Sequence, residues 1–588
     1  MYPSYAMYDE SLCPFAMNMI DRLYTGLRRS RAAHTVSPRN HNRTWLGAAA
    51  IILMLAVLLP LTVLLLEVFN LNGERWAAMW QTFLPRSLWN TLVLVIGVGL
   101  GTFLLGTGLA ILTAAYDFPG RRWFDRLLLL PLAIPGFIMG FVYVSMFEFA
   151  GPVQTTLRTW FNWGRGDYWF PNIASPGGLI LVLTLVLYPY VYILARAAFQ
   201  EQAASTFEAA RVIGYSRLMA FVRLALPMAY PQIAAGTILA ILEALTDYGT
   251  VSYFSYPTLS ERVVVLWNTE FDPGTATQLS LLMTLIALGL ILLERRMRHK
   301  ARFYQQGSQR RVIPQKLTGL PRWGAVLTCS LVLGVAFILP VMQLLIWAIG
   351  EMQTPTVGIW QESFIHYSQN SIMLAGSTAL ITVALALLIV FGLRTTATAQ
   401  RKIVRVLVRF VTLGYAMPGA VIAVGVLIVV NPLDGPMTDF ASDYLGWSPV
   451  AYLLTGTPIA LIYAYVVRFM SIGFNSVDAS LEKISPNLEG AARIAGAGEW
   501  RVLRRIHFPL MRTGLAAGAI LVFVDVMKEL PATLLLRPFG MDTLALRTYF
   551  LSIEGWHRVA SIPALTILLI GLIPVIILMR IGEKPVAR

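Results

Sequence analysis

The stretch AARVIGYSRLMAFVRLALP at 209–227 lines up without a gap on AARIAGAGEWRVLRRIHFP at 491–509. Ala209, Ala210, Arg211, Gly214, Arg223 and Pro227 recur as Ala491, Ala492, Arg493, Gly496, Arg505 and Pro509. The likeness continues upstream, in order and at a nearly constant offset. Tyr188, Tyr190 and Phe199 recur as Tyr463, Tyr465 and Phe474, Pro135-Gly136 as Pro418-Gly419, and Asn90 as Asn370. Chance is a poor explanation for ordered matches of this kind, so one unit is present twice.

The sequence around these matches is apolar. Of 588 residues, 57% fall in the hydrophobic set and only 13% are charged, with a mean hydropathy of +0.65. A soluble chain has about a quarter of its residues charged. A bilayer core about 30 Å thick needs roughly 20 apolar residues of helix, and such runs recur along the chain. They predict helices over 46–66, 91–115, 127–150, 177–198, 228–250 and 276–293, then over 324–349, 371–393, 406–430, 449–472, 513–532 and 559–580. The fold class is therefore an all-α polytopic membrane protein of about twelve spans. Six helices per copy is an even number, so the copies share one orientation: a parallel repeat, compatible with a pseudo-two-fold axis along the membrane normal. The expected division is a tail (1–45), a first unit (46–293), a linker (294–323), a second unit (324–580) and a short C-terminal tail (581–588).

Charge placement sets the expected orientation. The linker carries Arg295, Arg296, Arg298, Lys300, Arg302, Arg310, Arg311, Lys316 and Arg322, whereas the predicted loop 431–447 carries Asp434, Asp439 and Asp443 with no Lys or Arg. The positive-inside bias puts both termini and the linker in the cytoplasm and the acidic loop outside. The first apolar run, from Leu46, reads as an anchor rather than a signal peptide. The net charge of +15 reflects this loop bias, and no basic, aromatic-laced soluble domain points to nucleic acid. Cys13 and Cys329 make no disulfide framework. His299, His366, His507 and His557 are scattered, so no metal site is assigned and no covalent chemistry is indicated.

The best-matched segment lies in the loop between the fourth and fifth helices of each copy. Lipid-facing sequence is selected mainly for greasiness, so likeness in a polar loop asks for another cause. Residues 202–213 can form about three helical turns, Gly214 can take the left-handed conformation that ends a helix, and Pro227 suits the first turn of the next helix. Ala209 and Ala210 permit close approach by another surface. The result is a rigid exposed knob joined directly to a membrane helix.

At this point the sequence resembles the permeases of bacterial ABC importers. EAARVIG…LP, with Glu208, is similar to their EAA loop. That resemblance implies that the knob docks in a groove of a separate ATPase subunit and carries its closing motion to the membrane. The second copy departs from the pattern, with Gly490 where the Glu should stand and Glu489 one position early. A phosphate-cradling P-loop requires a Gly-Lys pair, and none occurs in this chain. The expected partners are therefore an ABC ATPase carrying ATP-Mg, in two copies, a periplasmic or extracellular solute-binding protein, and the lipid bilayer of a bacterial plasma (inner) membrane. The chain itself is expected to be no enzyme and to hold no cofactor. YDFPGRRWFDRLLLLPLAIPGF (116–137), LTDYGTVSYF (245–254) and DVMKELPATLLLRPFGMDTLA (525–545) resemble the ferric-iron subgroup, which implies iron(III) as substrate. Permeases for phosphonate, thiamine, spermidine and sulfate share parts of these stretches.

The residues give a partial physical reason. Glu243 and Asp247 stand one turn apart on one helix face, and Asp525 and Glu529 are their repeat equivalents. Each pair begins 16 residues past the Pro of its fifth helix, roughly 24 Å along it. Carboxylates at that depth usually face a bundle interior or an aqueous cavity, and four of them would suit a hard cation that prefers oxygen ligands. Lys528 could neutralise one. The bland alternative is that these acids pair with Lys528 and arginines to hold helices together, and it outweighs direct cation contact about two to one. Tyr188, Tyr190, Tyr463 and Tyr465 read as helix packing.

The main rival is a secondary transporter of the major facilitator type, which also has twelve helices and a basic central loop. Asp117-Phe-Pro-Gly-Arg121-Arg122 falls where that family carries D-R-x-G-R-R, but Phe118 and Thr113 break the pattern and the duplicated loop goes unexplained. A membrane enzyme is weaker still, since no nucleophile accompanies the acids.

Overall fold

The computed structural model describes residues 41–201, 214–215, 219, 221–299, 314–356, 360–395, 401–412, 414–446 and 452–581. Among these are twelve helices long and apolar enough to cross a membrane, one for each predicted run. In chain order we label them α1 (His41–Leu66), α2 (Leu84–Ala115), α3 (Gly136–Phe161), α4 (Pro176–Glu201), α5 (Leu226–Thr246), α6 (Pro273–His299), α7 (Leu320–Gln353), α8 (Trp360–Thr395), α9 (Gly419–Leu445), α10 (Pro458–Leu481), α11 (Phe508–Met527) and α12 (His557–Ile581).

The ends differ from the expected ones for stateable reasons. The runs beginning at 127 and 406 are both broken by Pro-Gly. A 3₁₀ turn and an extended residue precede α3, and an amphipathic helix, Arg401–Val411, precedes α9. The runs ending at 250 and 532 break after Thr246 and Met527 and resume as short helices, Gly249–Tyr253 and Pro531–Leu536. The predicted acidic loop at 431–447 is instead mostly helix. α9 runs on to Leu445 through Pro432 and Pro436, since membrane helices tolerate proline where neighbours re-satisfy the backbone. Asp434 accepts hydrogen bonds from the Leu454 and Thr455 amides at 2.7 and 2.8 Å, pinning the turn before α10.

The repeat is visible in detail. Asn90 donates to the Pro257 carbonyl at 2.9 Å and Asn370 to the Asp542 carbonyl at 3.0 Å. The next residues, Thr91 and Ser371, accept from the amides of Leu259 and Leu544. Each pair anchors an equivalent helix, Leu259–Asn268 or Leu544–Ile553.

The first helix of each half packs on the other half. The Tyr463 hydroxyl of α10 donates to the Ala56 carbonyl of α1 at 2.6 Å, and Gly425 of α9 lies against the backbone of Pro60. Reciprocally, the Tyr143 hydroxyl of α3 donates to the Val335 carbonyl of α7 at 2.5 Å, and Trp347 stacks on Phe141. The sixth helix follows suit, with Gly571 of α12 against Ala133 of the first half. Such contacts rest on close backbone approach at small residues, because apolar side chains gain nothing by leaving lipid.

A Cβ at Gly571 would fall 2.5 Å from the Ala133 carbonyl oxygen, whereas one at Gly289 meets nothing within 4 Å. Gly571→Ala is expected to destabilise the protein by about 1–3 kcal/mol, and Gly289→Ala to be neutral. Thermal unfolding in detergent checks this, and equal melting temperatures for the two variants would contradict the packing described.

Candidate translocation site

α5 and α11 stop inside the bundle, and the amides opening the next short helices need acceptors where water is scarce. Asp247 supplies them in the first half. Its carboxylate accepts from the Thr250 amide at 2.9 Å, the Val251 amide at 3.2 Å and the Thr250 hydroxyl at 2.8 Å. Glu529 does the same in the second half, accepting from the Ala532 and Thr533 amides at 3.1 Å each and the Thr533 hydroxyl at 3.0 Å. The matched Pro-Gly pairs complete the arrangement. A Cβ at Gly136 would meet Asp247 at 2.9 Å and one at Gly419 would crowd Glu529, so each carboxylate also lies at the start of α3 or α9. Gly249 is wedged between Phe137 and Leu530, where the two halves meet.

All five residues proposed for the pathway, Glu243, Asp247, Asp525, Lys528 and Glu529, line one cavity of about 140 Å³ between the halves. Their roles differ. Asp525 is paired with Lys528 at 2.8 Å, and Glu529 with Arg468 of α10 at 3.1 Å. Asp247 and Glu529 are occupied in capping. Glu243 has neither a cap nor an ion pair within 4.0 Å among the described residues; it interacts electrostatically with Arg468, Lys528 and Asp525, and the Tyr415 hydroxyl is its hydrogen-bonding neighbour. Four carboxyl groups thus face two cationic heads. Among the described residues no three His, Cys, Asp or Glu are grouped closely enough to hold a metal ion.

Sequence reasoning missed Arg468 and Tyr415, both of which line the cavity, and Tyr190, read as helix packing, packs against the core and also lines it. The other three tyrosines do pack helices. Tyr188 donates to the Leu128 carbonyl at 2.8 Å, Tyr463 reaches α1, and Tyr465 bonds Thr533 at 2.6 Å. Arg468 was findable, since an arginine inside an apolar span calls for an acid partner. Tyr415 precedes Pro418-Gly419 by three residues and carried no signal of its own.

Of the repeated loops, Glu208, Ala209, Ala210 and Arg211 lie outside the described residues. Gly214 and Gly496 both adopt left-handed backbone, with φ of 84° and 80°. Pro227 and Pro509 stand in the first turns of α5 and α11. In the second copy Ala491, Ala492 and Arg493 belong to the helix Pro486–Ile494. Leu488, Ile494 and Trp500 are exposed apolar residues there, Ile494 at 91%. Glu489 points back into the protein. It pairs with Arg394 at the end of α8 and with His507 Nε2 at 3.1 Å, while Arg394 also donates to the Leu481 carbonyl of α10 at 2.9 Å. A single π-helical turn precedes α5 at Phe221–Ala225 and α11 at Leu503–His507, equivalent positions in the alignment.

Residues 106–298 and 388–587 each match the binding-protein-dependent transport system inner membrane component family. The Fe(3+)-transport system permease protein FbpB 2 of Haemophilus influenzae is 27% identical over 548 residues, covering 92% of this chain and 99% of that protein. The sulfate transport system permease protein CysT of Salmonella typhimurium is 23% identical over 262 residues, 42% of this chain but 88% of its own length. A solved bacterial alginate ABC transporter, in complex with alginate pentasaccharide-bound periplasmic protein, gives a TM-score of 0.34 at 18% identity, over 45% of this chain and 94% of that one. The double family match overturns the facilitator reading of Asp117–Arg122. Arg121 instead closes the end of α2 by donating to the Thr113 carbonyl at 2.7 Å. With two copies of the motif-bearing unit fused in one polypeptide, the chain belongs to the binding-protein-dependent inner membrane components and is a multi-pass, non-catalytic permease subunit of an ABC importer.

Proposed function

We propose that the chain conducts iron(III) from a separate solute-binding protein to the cytoplasm, driven by ATP-Mg hydrolysis on two copies of a separate ATPase subunit. The observation that carries this reading is the cavity between the halves, where four carboxyls face two cationic heads. The likeness to an Fe(3+)-transport permease over 92% of the chain supports it. Hard trivalent cations prefer oxygen donors, and Glu243 is the cavity carboxylate with neither cap nor ion pair among the described residues. Spread ligands also suit passage, because a tight cage would trap the ion. Basic linker and termini inside, with the ATPase on the same face as the repeated loops, complete the orientation.

A second reading has its own support. Lys528, Arg468 and the starts of α3 and α9 bring positive potential to the same cavity, which would suit an oxyanion such as sulfate or phosphonate, or iron held by one.

Uptake into vesicles containing the reconstituted complex separates them. Iron(III) uptake should require ATP and survive proton uncouplers at constant ATP, and sulfate or phosphonate should not be accumulated. Glu243→Gln should lower iron uptake about tenfold, equivalent to ~1.4 kcal/mol in the transport step, at unchanged membrane abundance. Full activity in that variant would remove the carboxylate from the pathway, and sulfate accumulation would favour the second reading.

The loops make a separate prediction. Gly214→Pro, or a bulky residue at Ala492, should abolish transport while leaving the protein in the membrane, because each spoils the knob and spares the spans. Normal transport by both variants would rule out docking through these loops.

A further inference from the structure

A second cleft, of about 240 Å³, lies in the second half among the starts of α8 and α12 and the helix Leu544–Ile553. Its walls are apolar, from Phe364, Leu551, Val559 and Ile562, and its polar groups are Ser363, Tyr367, Arg547, Glu554 and Trp556. The far end of α8 carries Arg394, which is paired with Glu489 of the repeated loop. The cleft therefore opens at the opposite end of the bundle, level with the ends of two spans, where lipid headgroups lie.

Comparison with the first half shows what is unusual. Arg262 occupies the same position in Leu259–Asn268 as Arg547 does in Leu544–Ile553. Each guanidinium stands over an aromatic ring, Phe83 at 5.3 Å and Tyr367 at 5.6 Å. Arg262 is neutralised by Glu261 at 3.8 Å and Glu270 at 3.6 Å. In the second half Leu546 replaces Glu261, and among the described residues no carboxylate lies within 4.0 Å of Arg547. A cation at the membrane boundary, in no ion pair among the described residues and beside an apolar cleft, is complementary to a phosphate attached to an acyl chain. Glu554, on the same wall, is complementary to an ammonium.

We propose that this cleft binds one phospholipid whose headgroup joins a phosphate to a primary ammonium. Arg547 holds the phosphate, Glu554 accepts from the ammonium, Trp556 and Tyr367 flank the headgroup, and Leu551, Val559 and Ile562 receive the start of the chain. The site is independent of the cargo and of the coupling loops.

Native mass spectrometry of the purified full chain, titrated with phosphatidylethanolamine or phosphatidylcholine, tests it. One phosphatidylethanolamine should bind about tenfold more tightly than phosphatidylcholine, whose ammonium has no hydrogen to donate. Arg547→Gln should weaken that binding about tenfold, Arg547→Lys should restore most of it, and Glu554→Gln should erase the preference between the two lipids. Melting temperatures in lipid-free detergent identify any variant that is merely misfolded, and the Lys variant keeps the comparison decisive if the Gln variant is. Equal affinity for both lipids in the wild-type chain, or unchanged affinity in a folded Arg547→Gln variant, would overturn the proposal.

Discussion

A helix broken inside a bilayer exposes amides that no water can satisfy, and everything at the centre of this permease follows from how Asp247 and Glu529 meet that demand. Each stands where its fifth helix ends and turns its carboxylate onto the helix that resumes two residues later. An unsatisfied group at that depth costs several kcal/mol, so the acids hold a break that would otherwise close. The break in turn makes room for a cavity between the halves, and Pro135-Gly136 and Pro418-Gly419 bring α3 and α9 close enough to share the same two carboxylates. Acids that look like ligands in sequence are thus first of all backbone acceptors.

The same helices join the cavity to the repeated loops. From Glu499 to Met527 the chain is one helical span of 29 residues, about 43 Å long, entered through Gly496 and interrupted only by the π turn at Leu503–His507. The loop and the cavity residues Asp525 and Lys528 are thus joined by a single rod, the connection that the proposed docking of the knob requires. Glu489 braces the near end by joining the knob to Arg394 of α8 and to His507 of the rod itself. Its displacement from the usual place in the motif goes with a different use of its carboxylate, which faces inward onto its own half.

The pattern of what was readable in sequence has a physical cause. Spans, their number and the duplication were legible because run length and ordered matches are local properties of the chain. That Glu243, Asp247, Asp525, Lys528 and Glu529 would face a common interior was legible too, since carboxylates and Lys528 deep in an apolar helix have few places to go. Arg468 and Tyr415 reach the cavity from α10 and from the turn before α9, and no local periodicity reports which helix meets which. The exchange of α1 and α7 between halves was hidden for the same reason, because a greasy helix carries no address. The continuation of α9 through Pro432 and Pro436 was misread as a loop because proline is a breaker in water, whereas here the surrounding helices compensate.

Fusion of the two units has a consequence that separate identical subunits could not share. A strict two-fold axis would place the same side chain on both sides of the cavity, but here α5 offers Glu243 where α11 offers Asp525, and the residue three positions on is Thr246 in one and Lys528 in the other. Lys528 takes Asp525 as its partner, and Arg468 of α10 takes Glu529, whereas Asp247 has only its amides and hydroxyl. The backbone scaffold, the caps, the Pro-Gly approaches and the asparagine anchors stay paired across the halves. The charges lining the cavity do not. A carboxylate without an ion pair among the described residues therefore stands on one wall and cationic heads on the other, so a field runs across the cavity that a symmetric pair could not hold.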